Sequence, residues 1–163
     1  MLSIRPASSD HLPALNAIYN HYVHTDVLFD VAERTLDEAQ RWLDAHQAPE
    51  HPAIIALEDD VPVGWGSLSP FGSREAYRVT KEVSVYVAPR FHRRGYGRML
   101  VDAVAQIGRY NGVHTVIARI TAGNEASVGL FASMGFAHVG VEREVGFKDG
   151  RYLDVAIMQK LLT

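Results

Sequence analysis

Polar and apolar positions alternate over Leu2 to Arg5, which predicts a short strand stopping at Pro6. The spacing then changes. Leu12, Leu15, Ile18, Tyr19 and Tyr22 recur every three or four residues and, with Ser8 or Ser9 as the cap, predict an amphipathic helix to about Tyr22. Residues 25 to 31 carry no periodicity. Thr35-Leu36-Asp37-Glu38 has the form of a capping box, and Leu36, Ala39, Trp42 and Leu43 predict a second helix to about His46. Ala53 to Leu57 and Val61 to Leu68 predict antiparallel strands joined at Asp59-Asp60, followed by a loop over 71 to 78 and a β-branched strand from Val79 to Val87. A helical pattern over 96 to 111 ends at Asn111-Gly112, and Thr115 to Ile120 predicts a further strand. Asn124 can cap a helix through Met134 that ends at Gly135, and two strands, about 136 to 145 and 153 to 161, flank the hairpin signal Asp149-Gly150. This order predicts an α/β fold (α+β by some schemes): one mixed sheet covered by helices, with all 163 residues in one domain.

Composition narrows the chemistry. With no Cys there is no thiolate nucleophile or thiolate metal site, and a reducing compartment fits. No apolar run approaches the ~20 residues of a membrane span. A net charge of −3 argues against general attraction to nucleic acid or an anionic membrane. The expectation is a soluble, cytoplasmic protein with neither partner. His21, His24 and the other histidines show no metal-ligand spacing, so no metal is expected.

The basic residues gather locally in Arg93-Arg94-Gly95-Tyr96-Gly97-Arg98, between a predicted strand and a predicted helix. Strand, glycine turn and helix start in that order aim several backbone N–H groups and the positive end of the helix dipole at one place, which suits a phosphate. Gly95 and Gly97 let the backbone come close, while Arg93, Arg94 and Arg98 add charge. The spacing is neither that of a nucleotide P-loop nor that of a dinucleotide fingerprint, and by itself such a turn can equally be a tight turn with a solvated basic rim.

Four segments taken together, Glu82-x-Ser84-Val85-Tyr86-Val87, Arg93-Arg94-Gly95-Tyr96-Gly97, Asn124-x-x-Ser127 and Met134-Gly135-Phe136, resemble the GNAT superfamily of N-acetyltransferases. Ile18-Tyr19-Asn20-His21, Tyr77-Arg78 and Gly146 to Asp154 are similar to segments of its phosphinothricin and methionine sulfoximine N-acetyltransferase branch. The resemblance covers essentially the whole chain. It implies a mostly antiparallel sheet with one splayed parallel pair, here the strands of Val85 to Val87 and Thr115 to Ile120. Acetyl-CoA is then the co-substrate, its pantetheine arm lying as a pseudo-strand on Val85, Tyr86 and Val87. The resemblance further puts the pyrophosphate on the turn Arg93, Arg94, Gly95, Tyr96, Gly97, Arg98, and the pantetheine end on Asn124 and Ser127. Asn124 can also be a plain helix cap, and the two roles are compatible. It also implies a homodimer, with the hairpin around Asp149-Gly150 as a contact. One departure lies in the turn: His92 stands where the family has Gln or Arg.

Acetyl transfer to an amine requires a neutral amine, a stabilised oxyanion and a proton for the leaving thiolate. Direct attack by the amine is simpler here than an acyl-enzyme. Glu82 is the candidate base, on the strand face shared with Ser84 and Tyr86; the alternative is a surface Glu paired with Lys81 or Arg78. The backbone N–H groups around Val85 to Val87 are the candidate oxyanion donors. Relatives carry Tyr or His where this chain has Phe131, so Tyr86 or Tyr152 would have to supply the acid, or the thiolate leaves unassisted. For a small amino-acid-like amine, Arg74 and Arg78 are candidates to clamp a carboxylate, and Phe29 and Tyr19 to wall the pocket. Acetylation of a protein N-terminus or lysine, and an acyl-CoA sensor without turnover, are the alternatives.

Overall fold

The computed structural model describes all 163 residues. The elements are β1 Leu2–Pro6, α1 Leu12–Val23, α2 Leu36–Asp44, β2 Ala53–Glu58, β3 Val61–Pro70, β4 Thr80–Val87, α3 Tyr96–Tyr110, β5 Thr115–Thr121, α4 Glu125–Ser133, β6 Ala137–Lys148 and β7 Arg151–Leu161. The seven strands form one sheet in the order β1-β2-β3-β4-β5-β7-β6, and only β4 and β5 run parallel. No helix is long and apolar enough to cross a membrane.

The predicted caps of α2 and α4 form, whereas α1 follows a 3-10 turn over Ser9–His11 and has His11, not Ser8 or Ser9, at its N-cap. Thr35 Oγ1 accepts the Glu38 N–H while a Glu38 carboxylate oxygen accepts the Thr35 N–H, which satisfies two orphan donors of α2. Asp59 and Asp60, both at positive φ, turn β2 into β3, as Asp149 and Gly150 turn β6 into β7. Helix α2 ends at Asp44 rather than His46, whose ring closes the end by bonding the Trp42 carbonyl. The last hairpin is longer than its sequence pattern suggests, running to Lys148 on one strand and from Arg151 on the other. Register shifts at His138/Gly140 and Glu142/Gly146 break the period-two alternation by which the strand would have been read.

Two cores sandwich the sheet. Helices α3 and α4 cover one face through Leu100, Val101, Val104 and Phe131, against Val63, Leu68, Val83 and Val116. Helices α1 and α2 cover the other, with Leu15, Ile18 and Tyr22 around Trp65 and Leu43 packed with Leu12, Ala39 and Ala53. At ~1.5–3 kcal/mol for each fully buried large apolar side chain, these layers hold the start of α3 and the end of α1 on either side of β4.

Candidate active site

The parallel pair is joined only over Thr80 to Glu82 and Thr115 to Ile117. Beyond that point β4 stays paired with β3 and β5 with β7, so a V-shaped opening separates them. Tyr86 lies opposite Trp65, and the Ala88 N–H reaches the Val63 carbonyl. The alternate residues Val85 and Val87 therefore turn their N–H and C=O groups away from β3 and into the opening.

A cavity of about 460 Å³ fills this opening. Among the residues predicted for cofactor binding, Val85, Tyr86, Val87, Arg93, Gly95, Tyr96, Gly97, Arg98, Asn124 and Ser127 all line it. Gly95 is the left-handed N-cap of α3 at φ 84, and Arg93 is also left-handed at φ 63. The cap carries no side-chain acceptor, so the first-turn N–H groups of α3 remain as donors at the cavity end. Gly97 matters for a different reason. A Cβ there would stand 3.2 Å from Leu130 Cδ2 of α4, so the hydrogen lets the start of α3 pack closely on α4. The Asn124 side chain caps α4, accepting the Ser127 N–H at 3.3 Å and donating to Ser127 Oγ at 3.1 Å.

Some predicted residues sit elsewhere. Arg94 does not line the cavity: its guanidinium is 3.5 Å from Glu58 and packs over Phe91. The Tyr96 ring is buried with its hydroxyl donating to Glu58, which leaves its backbone at the cavity. Arg98 Nη1 donates to Ser133 Oγ at 3.2 Å, bridging α3 to α4. Arg74 stands at the N-cap of a short 3-10 turn over Glu75–Val79 and Arg78 within it, both exposed and in no salt bridge. Phe29 lies over Gly146, where an added Cβ would meet its ring at 2.5 Å. Tyr19 donates to Asp30 and packs against Trp65 and Tyr86.

Glu82 projects from β4 on the face of Ser84 and Tyr86. Burial holds its carboxyl above the usual carboxylate range, opposed by the Arg119 guanidinium and reinforced by Glu142. Its ion-pair partner is Arg119 of β5 at 3.8 Å, not Lys81 or Arg78. Lys81 is buried, one position along β4 and thus on the opposite face. Tyr86 is pushed above the ordinary phenol range, chiefly by burial, so it keeps its proton at neutral pH. Tyr152 is 65% exposed against Phe147, outside the cavity, and Phe131 is a core residue packed on Phe136.

Sequence reasoning assigned no site role to Tyr22, Arg34 or Lys148. Tyr22 lines the cavity and donates to the Val87 carbonyl, with His92 Nε2 2.7 Å from the same hydroxyl. Burial raises the Tyr22 phenol to about 12, so it stays a donor. Arg34, 4.0 Å above the Tyr19 ring, bonds Asn16 through Nε at 2.8 Å. Buried Lys148 donates to the carbonyls of Val23, Thr25 and Leu28 at 2.6 to 2.7 Å.

Comparison with known proteins gives this geometry its class. Residues 15–136 match the model of the Acetyltransferase (GNAT) family, and the chain belongs to that family. It is 37% identical to a phosphinothricin N-acetyltransferase of Streptomyces coelicolor, with 99% of this chain and 96% of that protein covered. It is 35% identical to an L-methionine sulfoximine/L-methionine sulfone acetyltransferase of Salmonella typhimurium, over 97% and 93% of the two chains. A Salmonella typhimurium acetyltransferase solved with its cofactor acetyl-CoA superposes with a TM-score of 0.94 at 34% identity, covering 99% and 94%. The family, the predicted mixed sheet and its splayed parallel pair thus stand as expected, and the chain is an N-acetyltransferase.

Proposed function

We propose that the whole chain is one catalytic domain that moves the acetyl group of acetyl-CoA to the primary amine of a small amino-acid-like acceptor of the phosphinothricin or methionine sulfoximine type. What supports this reading is an uncapped helix start and the unpaired edge of β4 at one cavity, with a carboxyl held above its usual range at Glu82, where β4 and β5 part and which does not itself line that cavity. The names of the relatives support the acceptor class.

Acetyl-CoA would supply the acetyl group as a thioester. The first-turn N–H groups of α3 with Arg93 and Arg98 suit its pyrophosphate, and the Val85 and Val87 edge with Asn124 and Ser127 suits its pantetheine arm. Glu82 takes a proton from the acceptor's ammonium, directly or through water, leaving a lone pair to attack the acyl carbon. Val85 and Val87 N–H groups steady the acyl oxygen. The C–N bond forms as the C–S bond breaks; Tyr86, still protonated, can give a proton to the departing sulfur and regain one from the nitrogen, which sheds its excess proton as the amide forms. Arg74 and Arg78, on the loop beside the site, offer charge to anionic groups of the acceptor, with Phe29 and Tyr19 as walls.

The test is thiol release from acetyl-CoA across a panel of amino acids, their sulfone and sulfoximine analogues, polyamines and N-terminal peptides. Turnover confined to the amino-acid-like compounds is expected; turnover confined to peptides, or none, overturns the reading. Gly97→Val should weaken acetyl-CoA binding by ~10-fold or more, because the added side chain crowds Leu130 at a cost of ~1–3 kcal/mol and narrows the cavity that both residues line. Calorimetric titration of the folded variant checks this, and unchanged affinity removes the turn from the site.

We also propose a cytoplasmic homodimer. Val139, Val141, Val145 and Phe147 lie 48 to 63% exposed along edge strand β6, a stripe that a second copy would cover. Val145→Asp is expected to give a monomer by light scattering where the parent chain is a dimer.

A further inference from the structure

Arg119 lies beside Glu82, and neither the anion turn nor the predicted clamps account for it. Glu82 is in register with Ile117 across the short parallel pairing, so Arg119, two residues on, shares its face just where the strands have parted. Its guanidinium comes within 3.8 Å of a Glu82 carboxylate oxygen, an ion-pair distance too long for a hydrogen bond. It makes no other salt bridge, and its donors are otherwise uncommitted. The side chain is 39% exposed, against 31% for Glu82, so a solute can reach both. Its carbon centre sits 5.3 Å from the Phe71 ring, and Phe71 in turn packs on Tyr77, in the loop that carries Arg74 and Arg78. The planar group is thus steadied without its hydrogen-bonding capacity being used.

A carboxylate and a guanidinium side by side, both reachable, form a dipole. An α-amino acid is a dipole of matching size, with ammonium and carboxylate separated by a single carbon. Laid against the pair in the opposite sense, it puts its ammonium on Glu82 and its carboxylate on Arg119. Each charge then finds a partner, and the ammonium meets the base that must deprotonate it. Arg74 and Arg78, exposed on the loop, are left for the far end of the acceptor.

We infer that Arg119 is the residue that selects acceptors with a free α-carboxylate, binding it through the guanidinium while Glu82 receives the amine. The inference rests on the proposed amino-acid acceptor. The experiment compares methionine sulfone with its carboxamide, for the parent enzyme and for Arg119→Ala and Arg119→Lys. The parent enzyme should prefer the acid. In Arg119→Ala, kcat/KM for the acid should fall ~10–100-fold, mostly through KM, because a charged, bidentate contact is lost. The carboxamide should change by no more than about twofold and acetyl-CoA KM should hold, while Arg119→Lys recovers part of the loss. An equal fall for acid and carboxamide means that Arg119 only supports Glu82 and overturns the assignment, as does no fall for either. A parent enzyme that acetylates neither compound, or prefers the carboxamide, overturns the acceptor reading first and this assignment with it. Circular dichroism and melting of both variants separate these outcomes from misfolding.

Discussion

Glu82→Gln is expected to lower kcat/KM for the best amine by ~10²–10⁴-fold while leaving acetyl-CoA affinity nearly unchanged. The amide keeps the shape of the carboxylate and cannot accept the proton. Because burial holds the Glu82 carboxyl above the usual carboxylate range, the acidic limb of the parent pH profile should fall at higher pH than an exposed glutamate would give, and the variant should lack it. Stability should move the other way. A carboxyl whose pKa rises on folding contributes most below its unfolded pKa and loses that contribution as pH rises through the folded value. At neutral pH the ionised group is therefore a cost that glutamine removes. Thermal melting should show the variant at least as stable as the parent at pH 7, with the difference shrinking in acid. A variant that keeps most of its rate and the same pH profile would make Glu82 structural.

Lys148→Met should have the largest effect on stability, with a loss of about 3–5 kcal/mol measured by denaturant unfolding. The ammonium satisfies three backbone carbonyls at the end of α1 and in the segment that follows, at 2.6 to 2.7 Å and out of water. A thioether fills the space and leaves all three without a donor. The same three bonds tie β6 to residues 23 to 28, next to Val27, which lines the cavity, and Phe29, which lies over Gly146. Hydrogen exchange should quicken over that segment, and the acceptor KM should rise with acetyl-CoA KM less affected. A stable variant with unchanged exchange would show that water replaces the ammonium.

The strands, most of the helices and the residues that line the cavity beside α3 were legible because each is written locally. Thr35 to Glu38, Asn124 to Ser127 and Asp149-Gly150 fold by bonds between residues a few positions apart, so periodicity and capping residues suffice to read them. The anion turn is likewise contiguous, and its chemistry follows from Gly95 at the start of α3. Glu82 could be read as a base from its strand face and the family likeness. Its environment could not, since the desolvation that raises it and the Arg119 that opposes it depend on where β4 and β5 stop pairing.

The surroundings of Glu82 were decided by the tertiary structure. Arg119 meets Glu82 across 37 positions of chain, Lys148 reaches carbonyls more than a hundred residues earlier, and Tyr22 crosses from α1 to Val87. Nothing in the spacing of these residues announces a partner. Arg94 shows the converse: it belongs to the basic run by sequence, yet the way α3 leaves the turn sends its side chain to Glu58. A backbone-built anion site can be read from a few adjacent residues because its donors are peptide groups fixed by local φ and ψ. A pocket built from side chains on separate elements takes its charges from how the sheet brings those elements together.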